Sequence, residues 1–270
     1  MRIGTIIHPV PHAELARDLA DYARRIEASG FPGIWVGDSL GRGRATLDPL
    51  TILAALATVT ERVELGVAVI QVPLRNPVEL AHRVQSLQAL SGDRLRLGVG
   101  GGSTKADFDL VGADFEQRFK TLMRSLDIMR RVWRGGPVNG GTLSPWPGTE
   151  GGPPILLGAW RNARWIAYAA TSCQGWTASG RYSRWEDLER GIRLYREAGG
   201  THAVLSNVAV DFSGGAEAEA LAKVSNVCLI CSPEEARRRL KRLEEMGFDE
   251  VLLVSHPGVL DDLKRARDLL

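Results

Sequence analysis

The sequence predicts a (β/α)8 barrel that forms one domain over residues 1–270. Eight short apolar runs alternate with longer amphipathic runs, in which apolar residues recur at helical spacing. The apolar runs lack a strict polar alternation, which is typical of parallel strands covered by helices. Eight strand–helix units at this length match the barrel. A doubly wound sheet is the alternative, but it usually has about six strands.

The predicted strands are short runs of apolar and β-branched residues, each placed before a helix-like run. They are RIGTII (2–7), GIWV (33–36), ELGVAVIQV (64–72), RLRLGVG (94–100), PILLGA (154–159), QGWTAS (174–179), HAVLSNVAVDF (202–212) and DEVLLVS (249–255).

The helix that precedes the last strand has the clearest boundaries. Ser232 is a predicted N-cap, Pro233 occupies the first position, Glu235 completes a capping box and Gly247 ends the helix. The segment between strand seven and this helix is longer than the loop that a minimal strand–helix unit of the barrel requires. It predicts a short insertion with a small helix and an additional strand-like piece, VCLIC.

Charge and hydropathy exclude several classes of partner. The 34 Lys and Arg residues nearly balance 32 Asp and Glu residues, so a nucleic-acid partner is not expected. No apolar run approaches the ~20 residues of a membrane span. The apolar patch near the amino terminus is too short for a signal peptide. We therefore expect a cytoplasmic protein that binds no membrane.

Cys228 and Cys231 form a C-x-x-C pair, which raises the question of zinc or redox chemistry. A zinc site needs two further ligands at regular spacing, and the sequence offers none. The apolar context favours buried structural thiols instead. No metal site is predicted.

In a (β/α)8 barrel the active site forms at the carboxyl ends of the strands. The polar residues predicted there include few charges, no carboxylate pair and no Ser-His-Asp order, which favours an organic cofactor that brings its own reactivity. They are His8, Asp38, Ser39, 71–75, 100–105, 158–162, 179–181, 207–211 and 255–256. The glycines of GVGGG (98–102) are either a cofactor cradle or a flexible link.

Several segments resemble the bacterial luciferase-like family of flavin- and deazaflavin-dependent oxidoreductases and monooxygenases. The first three are WVGDS (35–39), the run from LDPLTILAALATV to RLRLGVGGG (47–102), and FEQRFKTLMRSLDIMRRVW (115–133). The later ones are PPILLGAW (153–160), QGW (174–176) and SPEEARRRLKRLEEMGFDEVLLV (232–254). The resemblance implies reduced FMN as cofactor, with coenzyme F420 as the alternative because WVGD and PLRNP also resemble deazaflavin members.

The resemblance also implies roles for individual residues. It implies that His8, Asp38 and Ser39 are catalytic residues and that Asp38 also binds the cofactor. Asp38 matches an acidic residue of the family, whereas Ser39 stands where a catalytic histidine is common, so that His8 is the substitute for proton transfer. A cis peptide is expected at Ala68-Val69, under the cofactor ring. The other cofactor-binding residues that it implies lie at the ends of strands four to six: Gly100, Gly101, Gly102, Ser103, Gly158, Ala159, Trp160, Arg161, Ser179 and Gly180.

The implied enzyme acts on a small organic substrate, receives reduced cofactor from a flavin reductase, and forms a homodimer through its second and third helices. The alternative is a non-catalytic flavin-binding protein or partner subunit. Ser39 and Gly101 favour it, because the luciferases carry an arginine where this chain has Gly101. A sugar-phosphate isomerase or lyase would need a Lys or Glu at the ends of strands six to eight, and the sequence has none there.

Overall fold

The computed structural model describes residues 1–7, 13–40, 42–43, 46–144, 146–255 and 260–270. Its strands are β1 (Arg2–Ile7), β2 (Gly33–Val36), β3 (Glu64–Gln71), β4 (Leu95–Gly100), β5 (Ile155–Gly158), β6 (Gly175–Ser179), β7 (Ala203–Val210), β8 (Cys228–Leu229) and β9 (Glu250–Val254). His8 and His256, two of the strand-end residues, lie outside the described residues.

In the described residues a helix follows each of the eight barrel strands, as predicted. The helices are α1 (Ala13–Ala28), α2 (Pro49–Ala57), α3 (Pro77–Ser91), α4 (Lys105–Val111), α5 (Arg118–Trp133), α6 (Ala163–Ser172), α7 (Trp185–Glu197), α8 (Ala216–Lys223), α9 (Pro233–Met246) and α10 (Leu260–Arg267). Of these, α4 is an additional helix that the sequence did not predict. A 3-10 turn, Val72–Leu74, follows β3.

The strand order is β6-β5-β4-β3-β2-β1-β9-β7, and β6 also pairs with β7, so the eight strands form a closed parallel barrel. This topology confirms the predicted (β/α)8 fold. The short β8 pairs with β7 and, together with α8, makes up the predicted insertion. The chain divides into two compact units. The first unit comprises Met1–His8, Arg25–Trp35 and Ile155–Leu270, and the second comprises Pro9–Arg24 and Val36–Pro154.

The core of the first unit shows which face of β6 lies against the helices. Trp176 is fully buried, and its ring contacts Tyr195 of α7 and Phe248. Successive residues of a strand point to opposite faces of the sheet. Thr177 and Ser179 therefore point away from the helices.

The core of the second unit contains α3 and α5, which are joined by a buried tryptophan. Trp133, the last residue of α5, donates from Nε1 to the carbonyl oxygen of Ala81 in α3 at 3.0 Å. Asn76 caps α3, because its side chain accepts from two backbone N–H groups of the first turn. In the sequence Asn76 followed by Pro77 predicts the start of a helix, and the structure confirms it.

The capping predictions for α9 and α5 differ in outcome. Ser232 caps α9 and Gly247 ends it, as predicted, but the Glu235 carboxylate accepts from Arg238 and Arg239. In the sequence Asp114 and Gln117 resemble a capping box, which predicts that the long helix starts near Asp114, but this start is too early. Asp114 accepts from backbone N–H groups of the preceding turn, and α5 begins at Arg118.

Candidate active site

A β-bulge interrupts β3 near its carboxyl end. The register between β3 and β4 shifts between Val67 and Ile70, so that Ala68 and Val69 together face Gly98. Bulges of this kind are common at barrel rims and beside active sites. The peptide bond between Ala68 and Val69 is cis, which confirms the position that the family resemblance implied.

The bulge explains two glycines of the GVGGG segment. A Cβ atom on Gly98 would lie 2.0 Å from the carbonyl oxygen of Val67, and one on Gly100 would lie 2.5 Å from a Val69 methyl group. Side chains at these positions would therefore collide with β3 itself. The packing of the second unit requires both glycines, whatever ligand the protein binds.

The residues after β4 divide into buried and exposed positions. Gly101 is buried, and a Cβ atom there would lie 3.2 Å from the ring of Phe119. Gly102 has a φ of +79°, a left-handed conformation that favours glycine. Ser103 is exposed. Lys105 is exposed as well and pairs with Asp109 at 2.5 Å.

Asp38 forms a buried ion pair with Arg75. Its Oδ2 atom accepts from Arg75 Nη1 and from the backbone N–H of Gln71, each at 2.7 Å, and its Oδ1 atom accepts from Arg75 Nη2 at 3.0 Å. Burial alone would lower the pKa of Arg75, but its bonds to Asp38 reverse this and raise the pKa above its usual value. The Asp38 carboxylate thus holds the end of β3 in place. Ser39, beside it, accepts from Thr46 Oγ1 through its carbonyl oxygen.

A second buried carboxylate lies beside this pair. Asp107 of α4 is fully buried and accepts from Gln71 Nε2 at 2.9 Å and from Arg42 Nη2 at 3.0 Å. Because a carboxylate only accepts, the nitrogen end of the Gln71 amide must face it. The Gln71 Oε1 atom has no hydrogen-bond partner in the described part of the chain.

In the first unit, the residues after β5 present an aromatic surface. Trp160 stacks on Tyr182, with ring centroids 4.4 Å apart and an interplanar angle of 24°. Tyr182 is 39% exposed, and Trp160 is partly exposed. Next to them, both backbone groups of Ala159 are occupied: its N–H donates to Thr177 and its carbonyl oxygen accepts from Trp176. Gly158 is partly exposed, and Arg161 is exposed.

Ser179 and Gly180, at the end of β6, differ in whether their hydrogen-bonding groups already have partners. The Ser179 hydroxyl is buried and has no hydrogen-bond partner among the described residues. Gly180 donates to the carbonyl oxygen of Ser206 at 2.8 Å and accepts from the N–H of Val227 at 2.7 Å. A Cβ atom on Gly180 would lie 2.9 Å from the carbonyl oxygen of Val227, so the insertion needs a glycine here.

A second bulge lies in β7. Its register with β9 shifts between Leu205 and Val208, so that Ser206 and Asn207 together face Leu252. Asn207 has a φ of +56° and is partly exposed.

The sequence indicated some of these residues only weakly. Arg75 and Asn207 lie within the broad ranges that were predicted at the strand ends, 71–75 and 207–211. Tyr182 lies in none of the predicted ranges. The only signals were an asparagine inside a predicted strand and an arginine in PLRNP. His8, the expected proton-transfer residue, lies outside the described residues, so its role stays a prediction.

Cys173, Cys228 and Cys231 form no disulfide bond, and burial raises the pKa of the Cys231 thiol. Within the described ranges, no group of three or more His, Cys, Asp or Glu side chains is placed to hold a metal ion. No helix in those ranges is both long enough and apolar enough to span a membrane.

The family model for luciferase-like monooxygenases matches residues 1–211, which include both bulged strands. The chain belongs to this family. Its fold agrees with a solved structure of the oxygenating constituent of 3,6-diketocamphane monooxygenase from Pseudomonas putida in complex with FMN. The TM-score is 0.75 at 16% identity, over 100% of this chain and 96% of that chain.

Two relatives of the luciferase-like chain are a monooxygenase and an F420-dependent dehydrogenase. The 4-hydroxyprotoasukamycin monooxygenase of Streptomyces nodosus subsp. asukaensis is 33% identical over 133 residues, which are 48% of this chain and 36% of that protein. The F420-dependent glucose-6-phosphate dehydrogenase of Amycolatopsis mediterranei is 32% identical over 131 residues, which are 46% of this chain and 39% of that protein. The matches therefore span less than half the length of these relatives.

Proposed function

We propose that this chain is an oxidoreductase that binds a reduced flavin-type cofactor and uses it on a small organic substrate. FMN is the first choice and the deazaflavin F420 is the alternative. The observation that carries the proposal is the match to the luciferase-like family over residues 1–211. The FMN-bound structure from Pseudomonas putida supports FMN as a candidate, and the relative from Amycolatopsis mediterranei supports F420.

The first unit offers groups that suit a planar heterocycle. The ring pair Trp160–Tyr182 provides a partly exposed aromatic face. Ser179 provides a buried hydroxyl, and Asn207 provides an amide oxygen. A flavin or deazaflavin ring has a flat face and an edge that carries both N–H and carbonyl groups. The residues therefore fit the proposed cofactor.

Each group has a defined task in the proposed mechanism. Stacking on Trp160 and Tyr182 orients a planar ring and excludes water from its face. The Ser179 hydroxyl and the Asn207 amide bind polar ring atoms. In the second unit, the Asp38–Arg75 pair fixes the end of β3 and the bulge beside it. The bound cofactor supplies hydride transfer or, in the case of reduced FMN, a reaction with O2.

We expect the purified protein to bind FMN or F420 with a micromolar or lower Kd. Fluorescence and absorbance titrations with both cofactors, oxidised and reduced, measure this directly. Tight binding of F420 alone would restrict the chemistry to hydride transfer, whereas binding of FMN leaves oxygenation open. Failure to bind either cofactor at micromolar concentration would refute the proposed function.

Replacing Trp160 with alanine is expected to weaken binding of the cofactor about 10-fold, because the stacking face is lost. Trp160→Phe keeps an aromatic ring and is expected to stay within about 3-fold of the wild type. The same titrations, with thermal unfolding as a check on the fold, compare the two variants. Equal affinities for the two variants would place the cofactor away from this aromatic pair.

A non-catalytic flavin-binding protein is the second candidate. The observation that favours it is the engagement of Asp38 with Arg75, next to a serine where the family often has a catalytic histidine. It predicts tight binding of the cofactor without oxidation of the reduced form on any substrate of a panel. Turnover with any one substrate would exclude it.

The proposal includes a small organic substrate and, with FMN, a flavin reductase that supplies the reduced cofactor. The homodimer and the cytoplasmic location stay predictions.

A further inference from the structure

Asn207 has an unusual backbone for its place in the fold. In the described part of the chain, three residues other than glycine have a positive φ: Asp93, Asn139 and Asn207. Asp93 follows the end of α3, and Asn139 lies in a tight turn between Val138 and Gly141. Asn207 alone of these three lies within a strand. A residue held in this conformation inside a strand points to a function for its side chain.

A chain of hydrogen bonds fixes the orientation of the Asn207 amide. The Ser206 hydroxyl donates its proton to the carbonyl oxygen of Ala178 at 2.8 Å. Asn207 Nδ2 then donates to a lone pair of the same hydroxyl at 3.0 Å. Because the hydroxyl proton is already used, the amide oxygen cannot take the place of Nδ2. Asn207 Oδ1 is thus an oriented acceptor, and it has no hydrogen-bond partner in the described ranges.

The register of β6 and β7 places this acceptor beside a second free polar group. Ser206 pairs with Ser179, the last residue of β6, and both lie on the face turned away from Trp176 and the helices. The Ser179 hydroxyl is buried and has no partner among the described residues. The β7 bulge places Ser206 and Asn207 together, and the Asn207 amide is bonded to the Ser206 hydroxyl on this face. This face of the first unit therefore carries an acceptor, Asn207 Oδ1, and a potential donor, Ser179 Oγ.

We propose that Asn207 Oδ1 accepts a hydrogen bond from the imide N–H of the bound flavin-type cofactor, while Ser179 Oγ donates to an adjacent carbonyl group. The inference rests on the proposed function. FMN and F420 share a cyclic imide, in which an N–H lies between two carbonyl groups. An acceptor next to a donor is complementary to that edge. Asn207 is thus a binding residue that sets the orientation of the cofactor.

The test compares FMN with FMN methylated on the imide nitrogen, which lacks the N–H. Titrations by flavin fluorescence use the wild type, Asn207→Gly and the matched control Asn139→Gly. Glycine accepts a positive φ, so both variants should keep the fold, and thermal unfolding checks this. Asn139 lies in an exposed turn, so replacing it with glycine should not change the affinity for the cofactor. If the wild type binds only F420, the same comparison uses F420 and its imide-methylated analogue.

We expect the wild type and Asn139→Gly to prefer the unmethylated cofactor about 10-fold, the usual effect of one well-placed hydrogen bond. Asn207→Gly should bind that cofactor about 10-fold more weakly and lose the preference. Ser206→Ala, which removes the hydroxyl that orients the amide, should reduce the preference and provides a second variant if Asn207→Gly unfolds early. If Asn207→Gly and Ser206→Ala both keep the preference for the unmethylated cofactor, or if the wild type lacks it, the inference about Asn207 is overturned and the proposed function is not. A wild type that binds neither cofactor would overturn the proposed function as well.

Discussion

Replacing Arg75 with methionine is expected to destabilise the folded state by about 3–5 kcal/mol. The Asp38 carboxylate is 3% exposed and accepts two of its hydrogen bonds from the Arg75 guanidinium. Methionine retains the apolar stem but leaves the carboxylate with an uncompensated buried charge, which is costly. Urea unfolding at neutral pH measures the change as a lower midpoint at constant slope.

Arg83→Met is the matched control for this variant. Arg83 pairs with Asp48 at 2.8 Å, and both side chains are about one-third exposed. An exposed pair of this kind contributes less than about 1 kcal/mol. The double variant Asp38→Asn/Arg75→Met should recover part of the stability, because it also removes the buried charge. Equal losses for Arg75→Met and Arg83→Met would show that the Asp38–Arg75 pair is not the buried contact that holds β3.

This ion pair shows one limit of prediction from the sequence. Asp38 follows a strand, so its position at a barrel rim could be predicted, and the resemblance suggested a catalytic or cofactor-binding role. Its partner, Arg75, lies after the next strand along the chain. Nothing in the local pattern indicates which charged residue a given carboxylate will contact, because that depends on how the loops pack.

Local signals did predict the elements themselves. Asn76, Ser232 and Gly247 act through their immediate neighbours, so their roles as helix boundaries could be deduced before the structure. The cis peptide at Ala68-Val69 was expected from family resemblance alone, since ELGVAVIQV is also consistent with an ordinary strand.

The bulge at Asn207 and the Trp160–Tyr182 stack had no comparable signal. HAVLSNVAVDF has the pattern of a plain strand, and an extra residue becomes visible only when β7 is paired with β9. Trp160 and Tyr182 lie in successive loops, so that their contact depends on the spacing between β5 and β6. The candidate site therefore consists largely of contacts between elements, which a local pattern does not encode.

Gly98→Ala is expected to cost about 3 kcal/mol or more of folding stability. The new methyl group would lie 2.0 Å from the carbonyl oxygen of Val67 and 3.3 Å from a Val69 methyl group. The closer contact is a backbone atom inside a sheet, so it cannot move aside as a flexible side chain can. The bulge would have to rearrange or β3 and β4 would have to separate, and both changes break ladder hydrogen bonds. Chemical denaturation of the variant measures the loss.

Gly37→Ala provides the control, because a Cβ atom there meets nothing within 4 Å and its φ is not positive. It should be neutral or stabilising by up to about 1 kcal/mol, since alanine restricts the unfolded chain. If Gly98→Ala lost as little folding stability as Gly37→Ala, this would contradict the close packing of the bulge against β4. A large difference would show that Gly98 is required by the bulge of β3 itself. Contacts with the proposed cofactor would then be expected at the polar and aromatic side chains at the ends of β5, β6 and β7 and not at the glycine-rich segment.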